Sequence, residues 1–213
     1  LAMLLGQGTN GGGPTMERYN VGSQQVTLTI LGGNDVYFLG VHTANTFSLL
    51  GGANLFIATG VDEISTLSSS MVDGGAALGI GAGVTWTAGS TLTMYGGEVN
   101  IASAPNSLIL NNSARATISK DQLTWTTLTA RQNSSITFLA GGTITTLTLE
   151  TGSTLDKSED ARGLTITNST IDGDSCQVND PLNSITWTNA TSVKQRVTNG
   201  PFTFTGTRTV KIT

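Results

Sequence analysis

The sequence predicts an all-β protein, a parallel β-helix in which three short strands form each coil of about 19–24 residues. Pairs of apolar residues, separated by one residue, return every seven to nine positions from Val84 onward. Adjacent glycines return at intervals of about 22 positions. Charged residues make up 11% of the 213-residue chain, against a usual share of about 25%. An exterior of Thr, Ser and Asn is typical of such a composition.

The apolar pairs give the strand rhythm. Residues two apart lie on the same face of a strand, so each pair marks one short strand with a buried face. Three consecutive steps between the pairs span about 24 residues, which predicts three strands for each coil. An antiparallel sandwich or barrel with a turn about every 8–12 residues is the alternative. The pairs are Val84/Trp86, Leu92/Met94, Val99/Ile101, Leu108/Leu110, Ala116/Ile118 and Leu123/Trp125.

The glycine doublets predict a corner that recurs once in each coil. They begin at positions 32, 51, 74, 96 and 141, so the last gap is about twice as long as the others. Glycine adopts positive φ at a sharp corner without steric cost. The missing doublet is expected near position 119, where Ser119-Lys120-Asp121 is typical of a turn.

The chain divides into three segments. Residues 1–20 are expected to form an extended N-terminal arm, in which an apolar tip of Leu1, Met3, Leu4 and Leu5 precedes a glycine-rich stretch. Residues 21–180 are expected to form a β-solenoid of about seven coils. The arm either docks into a partner or folds back over the first coil, and both interpretations stay open.

The segment 181–213 is expected to be a C-terminal β cap and association region. Its apolar residues alternate over longer stretches, and Asn199-Gly200 is a strong hairpin signal. An antiparallel pair that carries Phe202 and Phe204 would then cover the open edge of the last coil or reach a neighbouring subunit.

Residues for catalysis or metal binding are scarce. One His and one Cys exclude the usual zinc sites, and the chain has no nucleophile elbow. Asp73, Glu98 and Asp121 follow one another at spacings close to one coil, so they would stack along one edge of a carbohydrate-cleaving solenoid. Each also lies beside turn residues, which explains it without catalysis. The sequence therefore predicts no enzyme, no catalytic residue, no metal and no cofactor.

Three tryptophans share one local pattern, in which each follows an apolar residue and a Thr. They are Trp86, Trp125 and Trp187, and such aromatic residues could stack on sugar rings. Each has the same parity as the apolar residue two positions before it, which predicts that it points into the core.

Charge and hydropathy exclude two kinds of partner. The formal net charge is −4, and an acidic chain lacks the basic face that binds phosphates, so no nucleic-acid partner is expected. No apolar run reaches the ~18 residues of a membrane-spanning helix, so no membrane partner is expected.

Two segments resemble those of known β-solenoid proteins. They are Ser-Thr-Leu-Thr-Met-Tyr-Gly-Gly, which begins at Ser90, and Ser-Ser-Ile-Thr-Phe-Leu-Ala-Gly-Gly, which begins at Ser134. The resemblance is to bacterial surface adhesins and autotransporter passengers, and to bacteriophage virion proteins that include tailspikes and capsid cement or decoration proteins. A short solenoid with an arm and a different β end looks more like a virion component.

The resemblance implies a non-enzymatic structural protein of a phage particle, located in the virion. It would act as a capsid cement or decoration protein and bind a major capsid or tail protein, with self-association as an oligomer, a trimer among the arrangements considered. An extracellular or cell-surface adhesin, or a tailspike-type β-helix that binds or cleaves glycans, is the alternative. The residues expected to bind partners are Leu1, Met3, Leu4, Leu5, Phe202 and Phe204.

Overall fold

A computed structural model describes the chain. It describes residues 55–57, 66–74, 76–172 and 175–189 with their side chains, and elsewhere only the backbone of individual strands. Within this described part the protein is all β and contains no helix.

The described part contains 24 strands. In chain order they are β1 (Ala2–Leu5), β2 (Met16–Tyr19), β3 (Thr27–Ile30), β4 (Val36–Leu39), β5 (His42–Leu49), β6 (Asn54–Ile57), β7 (Ser65–Leu67), β8 (Ser70–Asp73), β9 (Ala77–Ile80), β10 (Val84–Trp86), β11 (Thr91–Tyr95), β12 (Glu98–Ile101), β13 (Ser107–Asn111), β14 (Arg115–Ile118), β15 (Leu123–Ala130), β16 (Ser135–Phe138), β17 (Gly142–Glu150), β18 (Thr154–Asp156), β19 (Leu164–Asp172), β20 (Gln177–Asn179), β21 (Ile185–Trp187), β22 (Thr191–Lys194), β23 (Thr203–Phe204) and β24 (Val210–Ile212).

These strands form a parallel β-solenoid with three faces. The main path of sheet 1 runs β1-β3-β5-β8-β11-β13-β15-β17-β19-β22-β24, and sheet 2 runs β2-β4-β6-β9-β12-β14-β16-β18-β20-β23. A third face holds β7, β10 and β21 together with the first halves of β15, β17 and β19, which bend around a corner into sheet 1. The predicted parallel β-solenoid is confirmed, and the antiparallel sandwich is wrong.

The turns of the solenoid are shorter and less uniform than the apolar rhythm predicts. The shortest turn runs from Val99 to Ala116 and crosses the third face without a strand. There the backbone of Ser103 accepts a hydrogen bond of 3.0 Å from the Trp86 indole. The successive partners along sheet 2, which mark six turns of unequal length, are Leu55, Leu78, Val99, Ala116, Ile136, Leu155 and Val178.

The core lies inside the coils and consists of the apolar pairs. Leu92, Met94, Leu108 and Leu110 are all fully buried, and they alternate with outward Thr, Ser and Ile residues. Trp125 is fully buried as well, and its ring meets that of Phe138 edge to face at a centroid distance of 5.5 Å. Since Trp86 and Trp187 also pack against the core, the inward orientation predicted for the tryptophans is confirmed.

One corner, between sheets 1 and 2, recurs in a left-handed backbone conformation. Gly74 and the pair Gly96-Gly97 lie there, as the sequence predicts, with φ between +75° and +85°. The later coils place polar residues at this corner, and Asn is the type among them that tolerates positive φ best. They use Asn112-Ser113 and Gln132-Asn133, with φ between +53° and +64°, and then Thr151-Gly152 with φ of +23° and +72°.

The fifth glycine doublet does not belong to this corner, which corrects the prediction. Gly141 precedes β17 and Gly142 is its first residue, at the corner where sheet 2 turns into the third face. Ser119-Lys120-Asp121, between β14 and β15, also lies at the corner between sheet 2 and the third face. The long last gap therefore joins two different corners, because the two coils after Gly97 use Asn112-Ser113 and Gln132-Asn133 at the first corner, and glycine returns there only as Gly152. The doublets at 32 and 51 lie outside the described residues.

The two ends continue the parallel pairing. Ala2–Leu5 is a strand that pairs with β3, and residues 6–15 of the predicted arm lie outside the described residues. In the segment 181–213, β21 and β22 pair parallel with β19, β23 with β20, and β24 with β22. The antiparallel cap is thus not confirmed, because every described strand of this segment adds to the preceding coil. Asn199-Gly200 lies outside the described residues.

Two glycines with similar φ separate the effect of backbone strain from that of space. Gly97 has φ of +76°, and an added Cβ would meet the Ala76 carbonyl oxygen at 2.2 Å. Gly89 has φ of +72°, and an added Cβ would meet nothing within 4 Å. We expect Gly89→Ala to lower the free energy of unfolding by about 1–2 kcal/mol, from left-handed strain alone.

We expect Gly97→Ala to cost more than about 3 kcal/mol, because the backbone of the neighbouring coil must also move. The Ala76 carbonyl accepts a hydrogen bond of 2.9 Å from Glu98 N–H, so this movement weakens the pairing of the two coils. Urea unfolding of both variants beside the wild type measures the difference. Equal losses would show that the close approach at Gly97 is not a constraint.

Candidate functional site

The structure places the residues expected to bind partners at opposite ends of the solenoid. Met3, Leu4 and Leu5 lie in β1, the first strand of sheet 1, opposite Leu28, Thr29 and Ile30 of β3. Phe204 lies in β23, the last strand of sheet 2, opposite Val178. Leu1 and Phe202 lie outside the described residues. The two predicted binding segments therefore belong to two separate ends, and they do not form one site.

The three spaced carboxylates do not stack along one edge, which overturns that arrangement. Asp73 ends β8 and Glu98 begins β12, on the two sides of the left-handed corner, whereas Asp121 lies at the next corner, before β15. Glu98 Oε1 lies 3.4 Å from Arg115 Nη1, and both side chains are largely exposed. An exposed pair of this kind contributes little to stability, because water screens it.

Arg162 links three successive turns at the corner between sheet 2 and the third face. Its guanidinium donates to Asp121 Oδ2 at 2.5 Å, to Asp160 Oδ1 at 2.8 Å and to the Leu139 carbonyl oxygen. Asp121 Oδ1 accepts a further bond of 2.7 Å from Gly141 N–H. The planar guanidinium suits this role, since its donors point in several fixed directions. We call these residues the corner clamp.

A buried lysine extends the corner clamp into the solenoid. Lys157 has no exposed surface, and its Nζ donates to both the Oδ2 and the main-chain oxygen of Asp160 at 2.6 Å. Asp156 pairs with Thr137 of the preceding turn, and the residues that follow them are Lys157 and Phe138. Lys157 therefore takes the inward position that Phe138 holds one turn earlier. Its local sequence does not signal this burial, because a Lys in Asp-Lys-Ser-Glu-Asp is typical of a solvated turn.

The carboxylates of the corner clamp are held in their ionised form. Burial opposes the ionisation of Asp160, but hydrogen bonds from Lys157 and Arg162 outweigh it, so the pKa of Asp160 is lowered. The Gly141 N–H and then Arg162 lower the pKa of Asp121. A general acid needs the opposite shift. The shallow groove beside Asp121, Gly142 and Arg162 thus presents fixed ion pairs, and their arrangement suits a structural clamp.

A fully buried carboxylate shapes the following turn. Asp180 is fully buried, and its oxygens accept hydrogen bonds from Ser184 N–H at 2.9 Å, from Ser184 Oγ at 2.9 Å and from Ile185 N–H at 3.0 Å. These bonds fix the loop that leads into β21. Both oxygens of the Asp180 carboxylate are therefore engaged in hydrogen bonds that hold the fold.

The single thiol lies in the core. Cys176 is buried. Burial raises the pKa of its thiol, hydrogen bonds from the backbone of Ser153 and Gly152 oppose this, and the negative charges of Asp172 and Glu150 add to it. A thiol of raised pKa is a poor nucleophile at neutral pH, since the thiolate is the reactive form.

The outward surfaces of the two long sheets differ in composition. Five consecutive strands of sheet 1, β11 to β19, carry two outward columns of ten positions, which we call the Thr face; seven are Thr and none is charged, whereas a third outward column of the same strands includes Glu150 and Asp172. Ten matched positions on sheet 2, in β12 to β20, hold three Thr and three charged residues. The Thr face consists of Thr91, Thr93, Ser107, Ile109, Thr127, Thr129, Thr146, Thr148, Asn168 and Thr170.

No metal-binding cluster of three His, Cys, Asp or Glu side chains occurs among the described residues. The same part of the chain holds no helix with the length and apolar character that a bilayer crossing requires. Comparison of the chain with protein-family models, with curated proteins and with solved structures finds no match.

The corner clamp makes stability depend on pH in a predictable direction. Because the folded pKa values of Asp121 and Asp160 are lowered, their contribution is present above the unfolded value of 3.8 and is lost as the pH falls through the lowered values. We expect Arg162→Met to lower the free energy of unfolding at pH 7 and to lessen this loss between about pH 5 and pH 2.

Urea unfolding at a series of pH values measures both effects. Lys120→Met, which removes an exposed positive charge at the same corner, is the control and should keep the acid dependence of the wild type. An Arg162→Met variant with the same pH profile as the wild type would show that the clamp does not hold these carboxylates ionised.

Cys176 should be unreactive in the folded protein. We expect alkylation by iodoacetamide at pH 7 to be slow in the native state and fast in denaturant, because unfolding removes the burial that raises the pKa of the thiol. Mass spectrometry after timed labelling measures the two rates. Equally fast labelling in both states would contradict the buried position.

Proposed function

We propose that this chain is a non-enzymatic structural protein of a phage particle, a cement or decoration component that attaches to neighbouring capsid or tail subunits through its two ends. The observation that carries the proposal is that strands run to both ends of the solenoid. β1 and β24 are the outermost described strands of sheet 1, and β2 and β23 are those of sheet 2. The outer edge of such a strand offers backbone N–H and C=O groups to a further strand.

Strand addition at these edges gives a simple mode of attachment. A parallel solenoid buries each coil only against its neighbours, so its first and last coils need a cover. A strand from another subunit would supply that cover through main-chain hydrogen bonds, with side-chain pockets for specificity. The apolar residues of β1, with Phe204 in β23, lie in the strands where such a partner would bind.

The state of the acidic residues supports a structural role over catalysis. Asp121, Asp160 and Asp180 accept two or three hydrogen bonds each from fixed donors within the fold. Glycan cleavage needs two carboxyl groups that face one another across a bond, with one of them protonated. The corner clamp holds its carboxylates ionised, and Glu98 lies on a different corner from Asp121.

Deletion of residues 1–13 tests the proposal, because it removes β1 and the glycine-rich stretch that follows. We expect the truncated protein to be absent from purified particles, because the edge that binds the partner is lost. The copy number per particle, measured by quantitative mass spectrometry, is the readout. Thr117→Ser, a change on the outward surface of sheet 2, is the control and should be incorporated normally.

The truncated protein must also fold, which its urea midpoint checks against that of the full chain. An unchanged copy number per particle for a truncated protein that folds would contradict attachment through the N-terminal end. A wild-type protein that is absent from purified particles would sink the virion role itself.

A further inference from the structure

We propose that a groove on the outer surface of sheet 2 binds a neutral oligosaccharide, which would lie along the axis of the solenoid. The groove has a volume of about 330 Å³ and crosses β9, β12, β14 and β16. It lies on the flank of the solenoid, so it is separate from the two ends and does not depend on their attachment. We call it the flank groove, and its lining includes Phe56, Glu98, Asn100, Arg115, Ser135 and Thr137.

A glycine makes room for an aromatic ring at one end of the flank groove. Phe56 is half-buried, and it is the register partner of Gly79 in the next strand of sheet 2. A Cβ on Gly79 would lie 2.5 Å from Phe56 Cδ1 and 3.1 Å from its Cε1, so the ring lies across the glycine. Because the space for a Cβ is taken by the ring, any larger residue at position 79 would displace it.

Polar side chains of the next three turns line the rest of the flank groove. The column of the aromatic ring continues with the exposed Asn100 and, two turns later, with the half-buried Thr137. Glu98 and Arg115 lie beside this column as register partners, and both are largely exposed. Hydroxyl, amide, carboxylate and guanidinium groups therefore follow one another, and together they both donate and accept hydrogen bonds.

This lining matches the two kinds of surface on a sugar ring. A face of C–H groups packs against an aromatic ring, and each hydroxyl on the rim both donates and accepts a hydrogen bond. Two adjacent hydroxyls pair well with a planar side chain that has two polar atoms, as Glu98, Asn100 and Arg115 have. The amide of Asn100 is restrained, because its Oδ1 accepts a hydrogen bond of 2.8 Å from Ser119 Oγ.

The repeat of the solenoid suits a chain of sugars. Successive strands of sheet 2 lie about 4.8 Å apart, which is close to the length of one unit in an extended glycan. An oligosaccharide along the axis would therefore present one sugar to each turn. Four strand steps separate Phe56 from Thr137, so the distance of about 19 Å accommodates about four sugars.

Other classes of ligand fit the flank groove less well. Glu98 Oε1 lies 3.4 Å from Arg115 Nη1, so a phosphate that approached the guanidinium would also meet a carboxylate. A peptide that adds as a strand needs free main-chain groups, but the four strands under the groove are each paired on both sides. An apolar ligand would deprive the polar side chains of water without replacing their hydrogen bonds.

The flank groove would hold the oligosaccharide without cleaving it. Glu98 is the single carboxylate among the described residues that line the groove. Hydrolysis of a glycosidic bond by the usual route needs two carboxyl groups, one on each side of the bond. Binding on the flank is therefore compatible with a non-enzymatic protein that is attached through its ends.

Calorimetric titration of the full chain with cellohexaose, maltohexaose, laminarihexaose and isomaltohexaose tests the flank groove. We expect at least one hexasaccharide to bind with a dissociation constant below about 1 mM. The double variant Asn100→Ala/Arg115→Ala should weaken that binding at least tenfold, because it removes two hydrogen-bonding groups from the groove. Asn168→Ala/Arg131→Ala is the matched control, since Asn168 also accepts a bond from another turn and Arg131 also pairs with a Glu, but both lie outside the groove.

The aromatic ring is tested separately. Phe56→Leu keeps an apolar side chain but removes the ring, and it should also weaken binding at least tenfold. Urea midpoints show whether each variant is folded. Binding to none of the four hexasaccharides, or equal losses in the two double variants, would overturn the flank groove as a glycan site. Attachment of the ends would stand in that case, because the copy number per particle measures it independently.

Discussion

The structure depends on one constraint, the stacking of identical inward positions from coil to coil. Leu92, Leu108, Leu128 and Leu147 form one such column in successive strands of sheet 1, and all are fully buried. A coil has no core of its own, so each side chain is buried only because the coil before and the coil after supply its neighbours. Register is therefore strict wherever these columns run, since a slip of one residue would turn every apolar side chain outward.

The corner clamp follows from a departure from that rule. Lys157 enters the column position that Phe138 holds one turn earlier, and a buried ammonium group without partners would cost several kcal/mol. Asp160 supplies both a carboxylate and a carbonyl oxygen, and Arg162 then ties the carboxylate to Asp121 and so to the coils before it. Each charged group of the corner clamp thus lies beside one of opposite charge. These hydrogen bonds join three turns at a place where apolar contacts would otherwise join them.

The fold class could be predicted because inward residues must alternate, and pairs such as Leu92/Met94 show that alternation in the sequence. The length of each turn could not be predicted, because the corners differ in length and because Leu123–Ala130 runs across two faces as one strand. Left-handed corners were visible only where they use glycine, since Asn112 gives no comparable signal. The surfaces depend on register as well. The Thr columns join residues that lie far apart in the sequence, and the burial of Lys157 depends on its alignment with the preceding turn.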